Sequence, residues 1–180
     1  MKVSVLLLAL PIMMMTDQRV IDFGQDKAGQ DWRIVNDGVM GGLSQGNAVL
    51  ADDALYFAGR VSLENNGGFS SVRSPNGMVD LEGAEEVTIR YKTNSYQAAF
   101  TMSVSDRFWI PNYRIPLEAT MGEWTVINVA LRDVQQYRIG EPTGERLRPE
   151  AQARIQRIGF ITDEKRAGPF ELTVDYIRFD

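Results

Sequence analysis

The chain has 180 residues, and its 19 Lys and Arg against 24 Asp and Glu give a formal net charge of −5 at pH 7. It contains no cysteine and no histidine, which excludes disulfides, thiol nucleophiles, Cys/His zinc sites and histidine acid–base catalysis. Nucleic acid is also excluded as an expected partner, because its binding depends on clustered Lys and Arg contacts to phosphate.

The first predicted element is an apolar segment over residues 3–15, in which Ser4 is the only polar side chain. Because a membrane-spanning helix needs roughly 20 residues, we predict no transmembrane helix here. The segment is typical of the apolar part of a secretory signal peptide, although it lacks a small-residue cleavage site. Residues 1–15 therefore predict an exported or periplasmic protein. The alternative is a cytoplasmic protein whose true start is Met14 or Met15.

Residues 16–180 are predicted to form one domain of short strands. Apolar and polar side chains alternate in five segments, as in strands with one buried and one exposed face. The apolar positions of these segments are Leu55, Phe57, Val61 and Leu63; Val87, Ile89 and Tyr91; Phe100, Met102 and Val104; Ile127, Val129 and Leu131; and Phe170, Leu172, Val174 and Tyr176. This pattern indicates an all-β fold, an antiparallel β-sandwich or jelly roll.

Two further elements are predicted in the last third of the chain. Residues 135–149 are polar and carry Gly140, Pro142 and Gly144, which predicts a long loop. Pro149 and the helix-forming residues after it predict one or two helical turns, followed by a strand over residues 157–162.

The first unusual motif covers residues 32–44 and reads WRIVNDGVMGGLS. Its glycines permit left-handed backbone, and Asn36 and Asp37 can accept hydrogen bonds from the amides that follow. The motif therefore predicts either a tight turn that fixes the edge of the sandwich or a recognition loop. In the second case Asn36, Asp37, Met40 and Ser44 would contact a ligand or partner.

The second motif covers residues 59–73 and reads GRVSLENNGGFSSVR. Asn65 and Asn66 precede two glycines, which predicts a hairpin turn or an amide-rich recognition loop. Side chains two positions apart share a face of a strand, so Phe69, Ser71 and Arg73 should stand side by side. We expect this face to be the exposed one, since a buried Arg73 would require a carboxylate partner.

Residues 168–177 form a third motif, GPFELTVDYI. With these three motifs the sequence resembles the complex I intermediate-associated protein 30 family over roughly residues 20–179. The resemblance implies a galactose-binding-like β-sandwich, akin to carbohydrate-binding modules. It also implies a protein that assists the assembly of respiratory complex I without being a catalytic subunit.

Residues 107–114, RFWIPNYR, combine aromatic and arginine side chains. Such residues anchor protein interfaces, which makes Trp109 and Tyr113 candidate binding residues. Aromatic rings also stack on sugar rings. The alternative, which we favour for Trp109, Trp32 and Trp124, is that these side chains cap the core of the sandwich.

Two functions follow as hypotheses. The first is a non-catalytic protein-binding domain with chaperone-like action, whose partners are respiratory-complex subunits or assembly intermediates. The second is an exported module that binds carbohydrate or another small ligand. We expect no enzyme activity, metal or cofactor, because the acidic residues have neither the spacing of an EF-hand nor that of a recognisable catalytic pair.

Overall fold

A computed structural model of the chain describes residues 19–24, 27 and 29–180. The predicted signal peptide over residues 1–15 lies outside the described residues. Within the described part, no helix combines the length and apolar character that crossing a lipid bilayer requires. The strands are, in chain order, β1 (Val20–Asp22), β2 (Arg33–Asn36), β3 (Gln45–Ala51), β4 (Ala54–Val61), β5 (Ser70–Arg73), β6 (Glu86–Thr93), β7 (Ala98–Ser103), β8 (Asn112–Leu117), β9 (Thr125–Ala130), β10 (Gln135–Arg138), β11 (Glu141–Arg146), β12 (Arg157–Thr162) and β13 (Gly168–Phe179).

These strands form two antiparallel sheets. The six-stranded sheet has the order β3-β4-β13-β6-β9, and β1 pairs with the last part of β13. The seven-stranded sheet has the order β11-β10-β8-β7-β12-β5-β2. The predicted antiparallel β-sandwich is therefore confirmed, and so is the predicted short helix, α1 (Pro149–Gln152). Three short 3₁₀ helices lie over Asp37–Met40, Glu64–Asn66 and Leu131–Asp133.

Aromatic side chains fill the core between the sheets. The Phe100 ring lies 5.5 Å from Phe160 of the same sheet and 6.3 Å from Phe179 of the opposite sheet. Trp32 is buried and stacks on Phe160 at 6.0 Å, as the core interpretation predicted. Large rings bury much apolar area, so this cluster is a main source of stability.

The core interpretation is wrong for the other two tryptophans. Trp109 is 45% exposed at the end of a sheet. Trp124 is also exposed, and the cations of Arg90 and Lys92 lie 4.4 Å and 4.9 Å from its ring centroid. Both rings are covered by long cationic side chains rather than by the apolar core.

Two positions depart from the predicted alternation. Leu63 is exposed because β4 ends at Val61 and the chain then leaves the sheet. A β-bulge between Val174 and Tyr176 shifts the register of β13, so Tyr176 does not continue the buried row. The bulge instead returns Ile177 to the core, where it is buried.

The long loop predicted over residues 135–149 is wrong, because most of it is the hairpin of β10 and β11. Ile139 and Gly140 form its tip with φ of +50° and +83°, as a two-residue hairpin turn requires. Every residue of β11 is exposed. The sequence therefore shows none of the alternation that identifies a half-buried strand.

The hairpin predicted at residues 65–68 is also wrong. The strands on either side, β4 and β5, belong to different sheets, so this segment crosses from one layer to the other. Asn65 and Asn66 have φ of +54° and +59°. The sequence correctly indicates left-handed backbone, but the same conformation serves a crossover as well as a hairpin.

Hydrogen bonds of the Tyr96 hydroxyl anchor the segment between β12 and β13. Its hydroxyl lies 2.7 Å from the Glu164 carbonyl and 2.6 Å from the Arg166 carbonyl, and its ring is buried. We expect Tyr96→Phe to lower the free energy of unfolding by about 1–2 kcal/mol, measured by chemical denaturation. Tyr176→Phe is the control and should change it by less than about 0.5 kcal/mol. Equal effects of the two substitutions would contradict a fastening role for the hydroxyl.

Candidate functional site

The Asp37 carboxylate is the centre of a buried hydrogen-bond network between the first two motifs. Its side chain is 1% exposed and accepts hydrogen bonds from the Ser44 amide at 2.9 Å and the Ser44 hydroxyl at 2.5 Å. It also accepts bonds from the amides of Gly68 at 2.7 Å and Phe69 at 3.2 Å. Burial raises the pKa of this carboxyl, but the hydrogen bonds outweigh burial and lower the pKa from its ordinary value. Asp37 therefore ties the first motif loop to the second.

Two glycines make room for this carboxylate. A Cβ on Gly42 or Gly67 would lie less than 3.0 Å from atoms of the Asp37 side chain. Atoms cannot approach so closely without displacing the carboxylate from its hydrogen-bond donors. Gly42 of the first motif and Gly67 of the second thus serve the packing around Asp37.

The structure corrects the binding role predicted for Asp37 and Ser44. Both side chains are buried, and their polar atoms are used within the protein. Asn36 is half-buried, and its side-chain oxygen accepts a hydrogen bond from the Ser70 hydroxyl at 2.7 Å. A partner cannot reach Asp37 or Ser44, so we assign them to the folding of the motif loops.

Three other predicted binding residues belong to the same loops. Asn65 and Asn66 are exposed at the crossover, and their contact with a partner stays a prediction. The Met40 side chain lies outside the part of the structure that is described, so its predicted role is untested.

A row of cationic side chains crosses the outer face of the seven-stranded sheet, opposite the face that carries Phe100 and Phe160 into the core. The strand register places one residue of each strand beside the next along this row. From β11 to β2, what we call the arginine row consists of Arg146, Gln135, Arg114, Thr101, Gly159, Arg73 and Arg33. Small residues on the two central strands leave a shallow trough between Arg114 and Arg73, three strand spacings or roughly 14 Å across.

Arg114 on one side of the trough is held by several partners. Its Nη1 lies 2.6 Å from the Asp163 carboxylate, and its Nε donates to the Asn112 side chain at 3.2 Å. Its guanidinium also lies 4.9 Å from the centroid of the Tyr137 ring. These contacts neutralise the Arg114 charge and cover one face of Tyr137.

Arg73 on the other side is held by neutral groups. The Ser71 hydroxyl donates to the Val35 carbonyl at 2.9 Å and accepts a hydrogen bond from the Arg73 Nε at 3.2 Å. Among the described residues, no carboxylate lies within ion-pair distance of Arg73. The Arg73 guanidinium is therefore fixed in place without forming an ion pair.

Phe69, Ser71 and Arg73 lie along one side of the sheet, on the outer face that we expected. Phe69 and Arg73 are half-exposed, but Ser71 is buried. The predicted binding role of Ser71 is therefore corrected, because its hydroxyl orients Arg73 and a partner cannot contact it directly.

Two exposed aromatic rings lie at the end of the sheet where Arg73 is found. Phe108 is 65% exposed, and its ring lies 5.2 Å from Trp109 in an edge-to-face contact. The strand register shows this position. Both rings lie in the loop that joins Ser103 to Asn112, and Ser103 pairs with Arg157 of β12. Arg157 is two residues before Gly159, which pairs with Arg73. Surfaces that bind other proteins are enriched in aromatic and arginine side chains, and this end of the sheet exposes both.

Tyr113 does not join these exposed rings. It is buried on the core face of β8, and its hydroxyl accepts a hydrogen bond from the Gln136 side chain at 3.2 Å. The binding role predicted for Tyr113 is therefore wrong, because alternation along β8 turns it away from the surface that Asn112 and Arg114 share.

The β10–β11 hairpin adds an exposed apolar side chain at the same end of the sheet. Tyr137 pairs with Asn112, so the hairpin tip extends beyond that end. At the tip, Ile139 is 64% exposed and has φ of +50°, a conformation that β-branched residues avoid. Strain of this kind is concentrated at functional sites.

Sequence reasoning missed most of the arginine row. The sequence marks the segments that contain Arg33 and Arg114, but it does not identify these arginines, or Arg146, as members of one surface row. Their proximity results from a strand order that brings distant segments together. In the described part of the chain, no cluster of three or more acidic side chains is placed to hold a metal ion.

Solved structures with a similar fold include carbohydrate-binding modules. The family 11 module of the cellulosomal cellulase Lic26A-Cel5E of Clostridium thermocellum gives a TM-score of 0.62 at 11% identity, over 88% of this chain and 93% of that chain. The family 11 module from Clostridium thermocellum in complex with a β-1,3-1,4-mixed-linked tetrasaccharide gives 0.58 at 11% identity, over 89% and 94%. An agarase matches with a TM-score of 0.55 at 11% identity, over 89% of this chain but only 24% of the enzyme.

At such low identity, these similarities establish the β-sandwich fold alone. No curated protein matches the sequence significantly. The sequence profile of complex I intermediate-associated protein 30 matches residues 21–174, which include the first two motifs and most of the third. The chain is therefore a member of the complex I intermediate-associated protein 30 family.

Proposed function

We propose that this protein is a non-catalytic binding domain that assists the assembly of respiratory complex I by holding a protein partner. The observation that carries the proposal is the family match over residues 21–174. The fold agrees with a binding role, since the similar structures include carbohydrate-binding modules. An assembly factor has to bind an immature partner more tightly than the finished complex.

The docking surface that we propose is the outer face of the seven-stranded sheet at the end near Arg73. Phe108, Trp109 and Ile139 expose large apolar area there, and cationic side chains lie beside them. Apolar and aromatic anchors surrounded by polar groups are the usual arrangement of interfaces whose energy is concentrated in a few residues.

The role is tested by deleting the gene in the source organism. Assembled complex I is then measured by native electrophoresis and by the NADH:ubiquinone oxidoreductase activity of membranes. We expect less mature complex and an accumulated intermediate. The double variant Phe108→Ser and Trp109→Ser should fail to restore assembly, while Val126→Thr, on the other sheet, should restore it. Normal assembly in the deletion strain would refute the proposed function.

A second candidate is a module that binds carbohydrate. It is favoured by the similarity to a family 11 module solved with a mixed-linked tetrasaccharide, together with the exposed Trp109 ring. A glycan array with the purified protein separates the two candidates. Specific sugar binding that Trp109→Ala abolishes would support this function, and a blank array would remove it.

We propose, from the apolar segment over residues 3–15 alone, that the protein is exported. The N-terminus of the native protein, determined by mass spectrometry, tests this. A chain that begins near Thr16 in an envelope fraction would support export. A cytoplasmic chain that begins at Met14 or Met15 would contradict it.

A further inference from the structure

Two arginines face each other directly across neighbouring strands at one end of the arginine row. Arg33 of β2 is paired in register with Arg73 of β5. Residues opposite each other in an antiparallel pair have Cβ atoms about 5 Å apart, and like charges in this position destabilise the sheet. Within the described residues, neither arginine forms an ion pair. In that part of the chain, no ion pair of either arginine offsets this like-charge pairing.

A third arginine increases the local positive charge. Arg157 of β12 lies two residues before Gly159, which pairs with Arg73, so Arg157 is a diagonal neighbour of Arg73. Its charge is already engaged, because its Nη2 lies 2.6 Å from Asp106 and its Nε donates to Asn76 at 3.1 Å. Of these three guanidinium groups, only that of Arg157 forms an ion pair within the described residues, although the whole chain is acidic.

The Arg73 guanidinium is also oriented before any ligand binds. Its Nε is bound to the Ser71 hydroxyl, which is itself held by the Val35 carbonyl. In the described part of the chain, no hydrogen-bond or ion-pair partner engages its two Nη groups. Burial, and then the Arg157 charge, lower the pKa of Arg73, while Asp106 acts in the opposite direction. A desolvated cation among like charges is stabilised when an anion binds to it.

Resting on the proposed function, we propose that Arg73 and Arg33 form a carboxylate-binding site for an acidic segment of the partner protein. The two free Nη groups of Arg73 match the two oxygens of a carboxylate, which a guanidinium binds in a bidentate manner. Arg33 is exposed beside it and adds a second charge at the rim. The exposed rings of Phe108 and Trp109 lie at the same end of the sheet and supply the apolar part of the surface.

A fluorescein-labelled oligoglutamate peptide tests the site by fluorescence anisotropy with the purified full chain at low ionic strength. We expect saturable binding that Arg73→Gln weakens by about 10-fold or more, since a charge-assisted bidentate contact is lost. Arg73→Lys keeps the charge but removes the two parallel Nη donors, and it should weaken binding by a smaller factor. Arg60→Gln removes the same charge from an exposed position on the six-stranded sheet and should change affinity less than about 2-fold.

Equal affinity of wild type and Arg73→Gln, or no binding to wild type, would overturn the site. Tighter binding of an oligoglucuronate or of inorganic phosphate than of the peptide would show a different occupant and overturn the assignment to a protein partner. Because the assay uses purified protein, it is independent of the gene deletion. If complex I fails to assemble in the deletion strain but the peptide does not bind the purified protein, the proposed function stands and only this binding site is rejected.

Discussion

Replacing Asp37 with alanine is expected to lower the free energy of unfolding by at least about 3 kcal/mol. The substitution removes the acceptor of four hydrogen bonds and leaves the amides of Ser44, Gly68 and Phe69 without their partner. Since this network joins the two motif loops, we expect both to lose order together. Chemical denaturation measures the loss, and Asp31→Ala, at an exposed aspartate, is the control.

The same carboxylate makes stability depend on pH. Burial raises the folded-state pKa of Asp37, but its hydrogen bonds together lower it to below the ordinary value, so the unfolded chain binds the proton more readily. The stabilisation is present above the unfolded-state pKa and is lost as the pH falls through the folded-state pKa. Wild type should therefore lose stability in this acidic range, and its advantage over Asp37→Ala should shrink there. An advantage that stays constant down to the lowest pH would show that the Asp37 charge contributes nothing.

Replacing Gly59 with alanine is the second substitution with a large expected effect. Gly59 lies in β4, where it pairs with Gly46 on one side and Phe170 on the other. A Cβ at this position would lie less than 3.0 Å from the Gln45 carbonyl oxygen and the Gly46 Cα. These are backbone atoms that no side-chain rotation can move. We expect the strands to separate and the free energy of unfolding to fall by about 2–3 kcal/mol.

Gly38→Ala is the matched control for this prediction. A Cβ at Gly38 meets no atom within 4 Å, so only a small change is expected. Thermal or chemical unfolding of both variants compares the two positions. A Gly59→Ala protein as stable as Gly38→Ala would mean that β3 and β4 can separate at little cost. Close packing of β3 against β4 would then not be the reason why the second motif begins with a glycine.

Local chemistry made several elements predictable. The strands that contain Val87, Phe100 and Phe170 alternate apolar and polar residues because one face of each is buried. The helix at Pro149 was also found, since proline favours the first turn of a helix. The β10–β11 hairpin was missed because its second strand is exposed on both faces and has no apolar period.

The candidate site was predicted much less completely. The sequence places Phe69, Ser71 and Arg73 on one face of a strand, and it marks Trp109 as a candidate anchor. It cannot show that Asp37 faces inward, because an aspartate in a glycine-rich loop is equally suited to a ligand and to backbone amides. Burial decides between the two roles, and burial depends on the packing of the 65–69 segment against the loop.

The sequence by itself determined the class of fold, the family and the absence of thiol and histidine chemistry, because composition, side-chain period and long motifs are properties of the chain. Only the tertiary structure decided which residues meet. Arg33, Arg73 and Arg157 are far apart in the chain, and they become neighbours because β5 is inserted between β2 and β12. Strands that are distant in the sequence pair in this way because together they bury the core between the two sheets. No local sequence pattern specifies which strands become neighbours.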